Sequence, residues 1–374
     1  MRVALLCPYS LSRPGGVQGQ VVGLAAALNA LGHEAVVLGP SDGPLQMAGL
    51  APGGFVALGR SLGLRANGSV APVALGPGAA VRAVRAVRGG RFDVLHLHEP
   101  LAPGPGYACL FRCDLPMVGT FHRAGSSFAY RLFGPLVRAA ARRLTARCAV
   151  STEAEATAQS AVGGTYDIIG NGVDLDRFAS AHPWPTTGPT VLFVGRHEER
   201  KGLGVLLEAF TRLDPGTDLT VWVAGDGPET QRLARLHPPR HRLLWLGRVD
   251  DDELASRLAG AHALCAPSLG GESFGVVLVE AMAARTAVVA SDLPGYAEVV
   301  GDHGVLVAPG DAGALARALT AVATDAVHST GRCSPVALQG AFVHAAQWSM
   351  PAVAAQYAAL YERVRAGHRP GEEE

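Results

Sequence analysis

Lysine is almost absent from this sequence, although basic residues are not. Of the 32 basic residues, 31 are arginine and one, Lys201, is lysine. A compact ammonium group and a planar guanidinium group bind anions differently, so a lone lysine in an arginine-rich chain indicates a position that requires an ammonium. A chance surface lysine is the alternative explanation. Lys201 is therefore a candidate ligand for an anion.

Long apolar runs are also absent. The N-terminal run Val3–Cys7 is too short for a signal peptide and is followed by Pro8 without a cleavage site. No segment offers about twenty consecutive apolar residues, the length that a helix needs to span a membrane. We therefore predict a cytoplasmic protein without a spanning helix.

Cysteine is sparse and scattered, which argues against a metal centre. The one close pair among the six cysteines, Cys109 and Cys113, has no second pair or nearby histidine to complete a site. His96, His98 and Glu99 likewise lack a further ligand at suitable spacing. We expect buried, reduced thiols and no bound metal.

Charge is balanced overall but not along the chain. Residues 1–180 hold 16 basic and 10 acidic residues, whereas residues 181–374 hold 16 basic and 22 acidic residues. The basic half suits an anionic partner such as a membrane surface or a phosphate group, and an uneven surface would explain it equally well. We expect no nucleic-acid partner.

Strand and helix patterns alternate through the first half of the chain. A helix is predicted at 20–31 after a loop at Gly15-Gly16, and the pattern as a whole indicates an α/β fold with a mostly parallel sheet. The predicted strands are 3–7, 36–38, 92–96, 117–121 and 148–151.

A second alternating series follows the proline-rich segment 182–189, which we interpret as a linker. Its predicted strands are 190–194, 219–224, 243–246, 263–266, 287–290 and 304–307. The prediction is therefore two Rossmann-like domains, residues 1–180 and 190–345, facing across a cleft. A C-terminal helix at 348–366 could cross back to the first domain, and 367–374 would be a disordered tail.

The segment from Gly195 to Gly202 follows a predicted strand and precedes a helix. It places the basic side chains of Arg196 and Lys201 beside free backbone amides at a helix N-terminus, where a diphosphate is stabilised. This arrangement predicts a phosphate clamp.

Two glutamates, Glu272 and Glu280, flank the start of a predicted helix at 276–283. Glu272 in the loop could bind sugar hydroxyls, and Glu280 on the helix could accept hydrogen bonds from ribose hydroxyls. A salt-bridged Glu280 and a solvated Glu272 remain the alternative from spacing alone.

Taken together, these segments resemble family 4 glycosyltransferases of the GT-B fold, which are retaining enzymes using nucleotide sugars. Arg196, Lys201 and the pair Glu272 and Glu280 carry the specific part of the resemblance, which covers nearly the whole chain. It implies that His122, Glu272, Arg196 and Lys201 are catalytic. The donor-binding residues that it implies are Gly16, Arg196, Lys201, Val249, Asp251, Glu272, Ser273, Phe274, Gly275, Val276 and Glu280.

More narrowly, segments 7–10, 14–18, 67–70, 92–100, 120–122 and 269–284 are similar to the actinobacterial phosphatidylinositol mannosyltransferases. That resemblance implies GDP-mannose as donor substrate, a phospholipid acceptor, no tightly bound cofactor, and a divalent cation only as an aid to activity. Peripheral attachment to the inner face of the plasma membrane is also implied. The acceptor-binding candidates are Tyr9, Arg13, Gln18, Asn67, Ser69 and His122.

The sequence departs from that subfamily on the acceptor side. The resemblance implies an acidic residue at position 13, where this chain has Arg13. It also implies an arginine after segment 67–69, and residues 72–75 contain none. We hypothesise that Arg13 binds the lipid phosphate.

Residues 78–90 contain three valines and three arginines at matching intervals: Val81, Val84, Val87, Arg82, Arg85 and Arg88. The pattern predicts a basic amphipathic helix of the kind that rests on anionic lipid, or one solvated face packed on the sheet by its valines.

Three other functions stay open from the residues alone. One is a family 4 glycosyltransferase with a different nucleotide sugar or acceptor. The second is a sugar-nucleotide epimerase on a similar two-domain fold. The third is a non-catalytic sugar-nucleotide or lipid-binding protein.

Overall fold

The computed structural model describes residues 1–13, 15–44, 50–66, 69–125, 134–214 and 216–367. These residues form two compact units, one from Met1–Gly172 plus the segment that begins at Met350, and one from Val173–Ser349. Each unit contains a parallel β-sheet with helices between the strands, so the predicted α/β class is confirmed. The predicted tail lies, from residue 368 onward, outside the described residues.

The first unit is organised around a seven-stranded sheet in the order β3-β2-β1-β6-β7-β8-β9, with parallel pairing throughout. Because both faces are covered, its central strands have almost no exposure, and β6 buries two histidines, His96 and His98, among its apolar residues. Strands β4 and β5, which follow β3 along the chain, form a separate antiparallel hairpin. The strands are β1 (Arg2–Leu6), β2 (Glu34–Gly39), β3 (Phe55–Ala57), β4 (Leu62–Ala66), β5 (Ser69–Val73), β6 (Val94–His98), β7 (Met117–Phe121), β8 (Ala146–Ala149) and β9 (Asp167–Ile168).

The second unit contains a six-stranded parallel sheet in the order β12-β11-β10-β13-β14-β15. Strand order reverses beside β10, so the loops that follow β10 and β13 leave the same edge of the sheet, where open α/β sheets bind ligands. The strands are β10 (Thr190–Val194), β11 (Thr220–Ala224), β12 (Leu243–Gly247), β13 (Ala263–Ala266), β14 (Ala287–Ser291) and β15 (Val305–Val307).

Helices connect the strands of both units. They are α1 (Gly16–Ala30), α2 (Pro77–Gly89), α3 (Pro105–Arg112), α4 (Gly134–Arg142), α5 (Thr152–Val162), α6 (Leu175–Ala179), α7 (Leu203–Thr211), α8 (Thr230–Leu236), α9 (Asp251–Gly260), α10 (Val276–Ala283), α11 (Pro294–Val300), α12 (Ala312–His328), α13 (Pro335–Ala345) and α14 (Met350–Gly367). Short 3-10 turns lie at Glu199–Lys201, Gly331–Cys333 and Ala346–Trp348.

The chain passes between the units at Gly172–Val173, some residues before the predicted linker. Helix α6 belongs to the second unit because it packs on α10 and because its Arg177 pairs with Asp251 at 3.1 Å. Helix α14 belongs to the first unit, where it packs along α1. The end of the Met350 side chain, at the start of α14, packs closely over Gly23 and Gly172, so a side chain at either position would displace it.

Two local predictions were wrong in detail. Helix α1 begins at Gly16 and not at Gln20. Gly15 is the extended cap residue, and Gly16 is already part of the helix. In α2 the valines do not form one buried stripe. A spacing of three drifts around a helix, so the buried face is Ala79, Ala83 and Val87, while Val81 is exposed.

The six cysteine thiols are free and buried, as expected. In the described part of the chain, no helix is long and apolar enough to cross a membrane. Across the same residues, no group of three histidine, cysteine or acidic side chains is placed to hold a metal ion.

Candidate active site

The loop after β10 is folded tightly against the loop after β13. Gly202 has φ +69°, and a side chain there would collide with the carbonyl oxygen of Pro267, so only glycine fits. The amide of Leu269 donates to the carbonyl of Arg200 at 2.7 Å. These contacts bring the predicted clamp at 195–202 beside Glu272.

Five charged side chains from these two loops form what we call the ion-pair cluster: Arg196, Glu198, Arg200, Lys201 and Glu272. One oxygen of Glu272 lies 2.8 Å from Lys201 Nζ and 2.7 Å from Arg200 Nη1. Glu198 accepts a hydrogen bond from Arg200 Nε at 3.0 Å, and its other carboxylate oxygen lies 3.1 Å from Arg196 Nη2. Three cations thus surround two carboxylates, which leaves one net positive charge beside the start of α7.

The ion-pair cluster joins three of the predicted residues and adds two that the sequence analysis passed over. Arg200 bridges the two carboxylates, and Glu198 is only 5% exposed. The sequence did indicate their region, since Glu198 and Arg200 both lie inside the predicted clamp at 195–202. Spacing alone could not show that Arg200 turns toward Glu272 instead of toward solvent.

Glu280 lies on α10 and does not join the ion-pair cluster. Burial raises the pKa of its carboxyl group to about 7, with Asp251 raising the pKa further and Arg177 lowering it. Asp251 begins α9, after the cap residue Asp250 and Val249. The predicted ribose and base residues are therefore near one another, through Glu280 and Asp251.

The segment that opens α10 depends on backbone geometry more than on side chains. Gly275 has φ +91°, and a side chain there would meet the Tyr296 ring at 2.7 Å. Phe274 is buried and packs edge-on against Trp348, with ring centroids 5.7 Å apart. Phe274 can therefore offer a ligand only its backbone, while Ser273 and Val276 are partly accessible.

In the first unit, His122 follows β7 and is held on three sides. Its backbone amide donates to Glu99 Oε1 at 2.7 Å, and its ring nitrogens lie 3.2 Å from Asn171 Oδ1 and 2.9 Å from His98 Nδ1. Burial lowers the pKa of His122 to about 4, so the ring is neutral near pH 7. A neutral imidazole can offer a lone pair or an N–H group, but not a charge.

Glu99 is a candidate functional residue that was considered from the sequence only as a possible metal ligand. It is buried and takes φ +47°, an uncommon conformation for a residue with a side chain. Burial raises the pKa of its carboxyl group to about 6, against the hydrogen bonds from the backbone amides of His122 and Arg123 and the charge of Arg123. Strain of this kind is found at functional sites.

His96 is tied to the C-terminal helix. Its ring lies 2.7 Å from the Tyr361 hydroxyl on one side and 2.7 Å from Thr120 Oγ1 on the other. Thr120 also contacts the Tyr357 hydroxyl at 3.0 Å. We call His96, His98, Glu99 and His122 the histidine cluster.

Three of the predicted acceptor residues, Tyr9, Arg13 and Gln18, lie in or beside the loop after β1. Tyr9 bridges to Val73 of β5, and Gln18 holds the loop by hydrogen bonds of 3.4 Å to the carbonyls of Ser10 and Arg13. Gly16 has open space where a side chain would be. Asn67 lies outside the described residues, and Ser69 is described only as part of the β5 backbone.

Arg13 is paired with a carboxylate that the sequence analysis did not single out. Its Nε lies 3.6 Å from Asp42 Oδ2, and the Arg13 side chain is mostly exposed. Asp42 also accepts hydrogen bonds from Ser10 and Ser61, which together lower the pKa of its carboxyl group despite the opposing effect of burial. A carboxylate thus lies beside position 13.

Comparisons with known proteins cover both units. Residues 14–177 match the family model described as Glycosyltransferase Family 4, and residues 188–325 match the model described as Glycosyl transferases group 1. The chain is 40% identical to phosphatidyl-myo-inositol mannosyltransferase of Mycolicibacterium smegmatis over 97% of this chain and 94% of that protein. It is 37% identical to the enzyme of the same name from Propionibacterium freudenreichii, over 82% and 81% of the two chains.

Among solved structures, Anabaena Alr3699/HepE in complex with UDP and glucose superimposes with a TM-score of 0.74. The alignment covers 97% of this chain and 100% of that chain at 19% identity. WaaG, a glycosyltransferase involved in lipopolysaccharide biosynthesis, gives a TM-score of 0.69. At these identities the likeness supports the GT-B fold.

Proposed function

Because this chain belongs to the phosphatidyl-myo-inositol mannosyltransferase family, within the family 4 glycosyltransferases, we propose that it transfers mannose from GDP-mannose to phosphatidylinositol. The mannose goes to an inositol hydroxyl, with retention at the anomeric carbon. The product is a phosphatidylinositol mannoside. The observation that carries the proposal is the ion-pair cluster, in which Glu272 is held between Lys201 and Arg200.

The ion-pair cluster suits the departure of a nucleoside diphosphate. As the glycosidic bond breaks, negative charge develops on the diphosphate, and cations already in place stabilise that charge without reorganisation. Arg196 and Lys201 serve this role, while Glu272 accepts hydrogen bonds from the hexose hydroxyls. The backbone amides at the start of α7 add to the stabilisation.

On the donor's other side, Glu280 and Asp251 bind the nucleoside. With a pKa raised to about 7, Glu280 is present in both protonation states near neutral pH and can donate to or accept from a ribose hydroxyl. Val249 and the backbone of Ser273–Gly275 complete this part of the site. A divalent cation would aid activity without being required.

On the acceptor side, Tyr9, Gln18, Asn67 and Ser69 bind the inositol, and Arg13 binds the lipid phosphate. His122 contacts the transferred sugar as a neutral imidazole. Exposed Val81 and the neighbouring Arg85 on α2 rest on the inner face of the plasma membrane. Arg82 and Arg88 are less free to do so, because each donates to a backbone carbonyl, of Leu58 and Arg112.

The test is transfer of radiolabelled mannose from GDP-mannose by the purified protein, with and without vesicles that contain phosphatidylinositol. We expect labelled lipid from the wild type, almost none from Glu272→Ala, and wild-type activity from Glu208→Ala, which removes an exposed glutamate on α7. Proton NMR of the product would show the retained α configuration.

Other outcomes separate the alternatives. Binding of GDP-mannose in calorimetry without lipid product would point to another acceptor. Conversion of the donor in the absence of vesicles would indicate an epimerase, and binding with no reaction toward any acceptor would indicate a binding protein. Absence of binding to any sugar nucleotide would contradict the whole proposal.

A further inference from the structure

The ring of His122 is held at both nitrogens by side chains of its own unit. Its Nδ1 lies 3.2 Å from Asn171 Oδ1, and its Nε2 lies 2.9 Å from Nδ1 of His98. Asn171 follows β9 and His98 ends β6, so two separate strands fix one ring. Such a double contact restricts both the orientation of the ring and the position of its proton.

The order of protons along these contacts follows from what each atom can do. An amide oxygen only accepts, so His122 Nδ1 must carry a hydrogen. Burial keeps both rings neutral, since it lowers the pKa of His98 as well as that of His122. A neutral ring has a single N–H, so His122 Nε2 is an acceptor, and the hydrogen between the two rings belongs to His98 Nδ1.

The far side of His98 agrees with this order. Its Nε2 is buried and has no hydrogen-bond partner among the residues that the structure describes. His98 also lines a cavity of about 10 Å³ together with Asn171, His122 and Tyr357. That volume is about enough for one water molecule, and a lone pair on Nε2 is the group that a water would donate to.

We propose that His98 is a positioning residue for His122: by donating its Nδ1–H to Nε2, it fixes His122, with Asn171, as the neutral Nδ1–H tautomer. With both ring nitrogens engaged inside the unit, His122 presents to the sugar a ring of fixed orientation rather than a free nitrogen. The contact with the sugar rests on the proposed function, whereas the tautomer does not.

The tautomer can be read directly by NMR of the full-length protein labelled with ¹⁵N in the histidine rings. We expect the protonated nitrogen of His122, assigned by its loss in His122→Gln, to be Nδ1 in the wild type. His98→Leu removes the donor, and the Asn171 amide can then turn to offer either its oxygen or its nitrogen to Nδ1, so His122 should populate both tautomers. His98→Asn should restore the wild-type pattern, because an asparagine amide nitrogen takes the place of histidine Nδ1. His328→Asn, on the exposed end of α12, is the matched control.

The same variants give a kinetic test. We expect His98→Leu to lower kcat by about 10-fold to 100-fold, less than the loss of a group that itself moves a proton. KM for GDP-mannose should stay within about twofold, since the nucleotide binds the other unit. His98→Asn should recover most of kcat, which separates positioning from folding.

Several results would overturn the inference. An Nε2–H tautomer of His122 in the wild type would reverse the proton order. A His98→Leu variant that keeps both the wild-type tautomer and the wild-type kcat would show that His98 does not position the ring. Full transfer activity of His122→Gln would instead contradict the proposed contact of His122 with the sugar, while the NMR result would stand.

Discussion

The ion-pair cluster of the second unit and the histidine cluster of the first unit hold polar groups in opposite ways. In the ion-pair cluster, three cations surround two carboxylates, and each charged group has a partner of opposite sign within about 3 Å, with one positive charge in excess. In the histidine cluster, burial lowers the pKa of each ring, so that the histidines stay neutral and contact one another and neighbouring hydroxyls.

The difference reflects the ligands that the two units are proposed to bind. A diphosphate brings charge and requires cations, and the two largely buried carboxylates hold these like-charged side chains close together in the loops. A sugar hydroxyl brings no charge, and a neutral ring of fixed orientation can contact it without the cost of burying an ion. The side chains of each unit therefore match the charge of the ligand that the unit is proposed to bind.

The largest effect is expected from removing the single lysine. Lys201→Ala should lower kcat/KM for GDP-mannose by about 10²-fold to 10³-fold, as expected for losing one group that stabilises transition-state charge. Lys201→Arg should recover only part of the activity, because a planar guanidinium cannot replace an ammonium at 2.8 Å from Glu272 in a crowded loop.

Arg212→Ala, which removes an exposed cation near the end of α7, is the control for Lys201. Steady-state transfer to phosphatidylinositol vesicles is the measurement. A Lys201→Ala enzyme that keeps more than about a tenth of wild-type kcat/KM would break the comparison, since it would show that the cluster does not act on the leaving group.

A second prediction concerns the opposite pH responses of the two units. Because the pKa of Glu280 rises from 4.5 to about 7 on folding, its stabilising contribution is present at low pH and is lost as the pH rises through about 7. Glu280→Gln should therefore raise the free energy of unfolding at pH 8 by about 1–2 kcal/mol, a value reduced because the side chain is partly accessible. The gain should vanish toward pH 4.5.

His122 provides the contrast to Glu280. Its pKa falls from 6.5 to about 4 on folding, so its contribution is complete above pH 6.5 and is lost as the pH falls through about 4. Urea denaturation across this range tests both signs, with Glu208→Gln as control. Equal effects of Glu280→Gln at pH 4.5 and pH 8 would contradict the raised pKa of Glu280.

A smaller effect is expected at Arg13, the residue proposed to bind the lipid phosphate. Arg13→Ala should raise KM for phosphatidylinositol about fivefold and leave the dissociation constant of GDP-mannose in calorimetry unchanged, since the arginine belongs to the acceptor unit. Asp42, its partner, holds the surrounding loop in place. Weaker binding of GDP-mannose would refute a role for Arg13 at the lipid phosphate.

The smallest effect is expected at Arg85 on α2. Arg85→Ala should weaken sedimentation with vesicles rich in anionic lipid by about 1 kcal/mol, the usual contribution of one basic residue near a charged surface. Binding to neutral vesicles should not change. Arg332→Ala in the second unit is the control. If both variants sediment alike at low salt, α2 does not face the membrane.

Part of this molecule was predictable because the relevant residues are close in sequence. The alternation of strands and helices predicts the α/β fold, and a strand followed by Gly195, Arg196, Lys201 and Gly202 predicts an anion site at a helix N-terminus. Glu272 could be added from its place at the start of α10. Short-range backbone preferences and hydrophobic patterns determine such features, so they can be recognised without a structure.

The rest required the tertiary structure. His96 contacts Tyr361 across 265 positions of sequence, and Arg200 turns toward Glu272 across 72 positions. Glu99 supports His122 only because β6 and β7 end side by side, and the α14 residues reach the histidine cluster only because that helix returns to the first unit. The sequence by itself determined the elements and the local anion site. Packing decided which distant side chains share a proton or a charge, since those contacts depend on strand order and not on spacing along the chain.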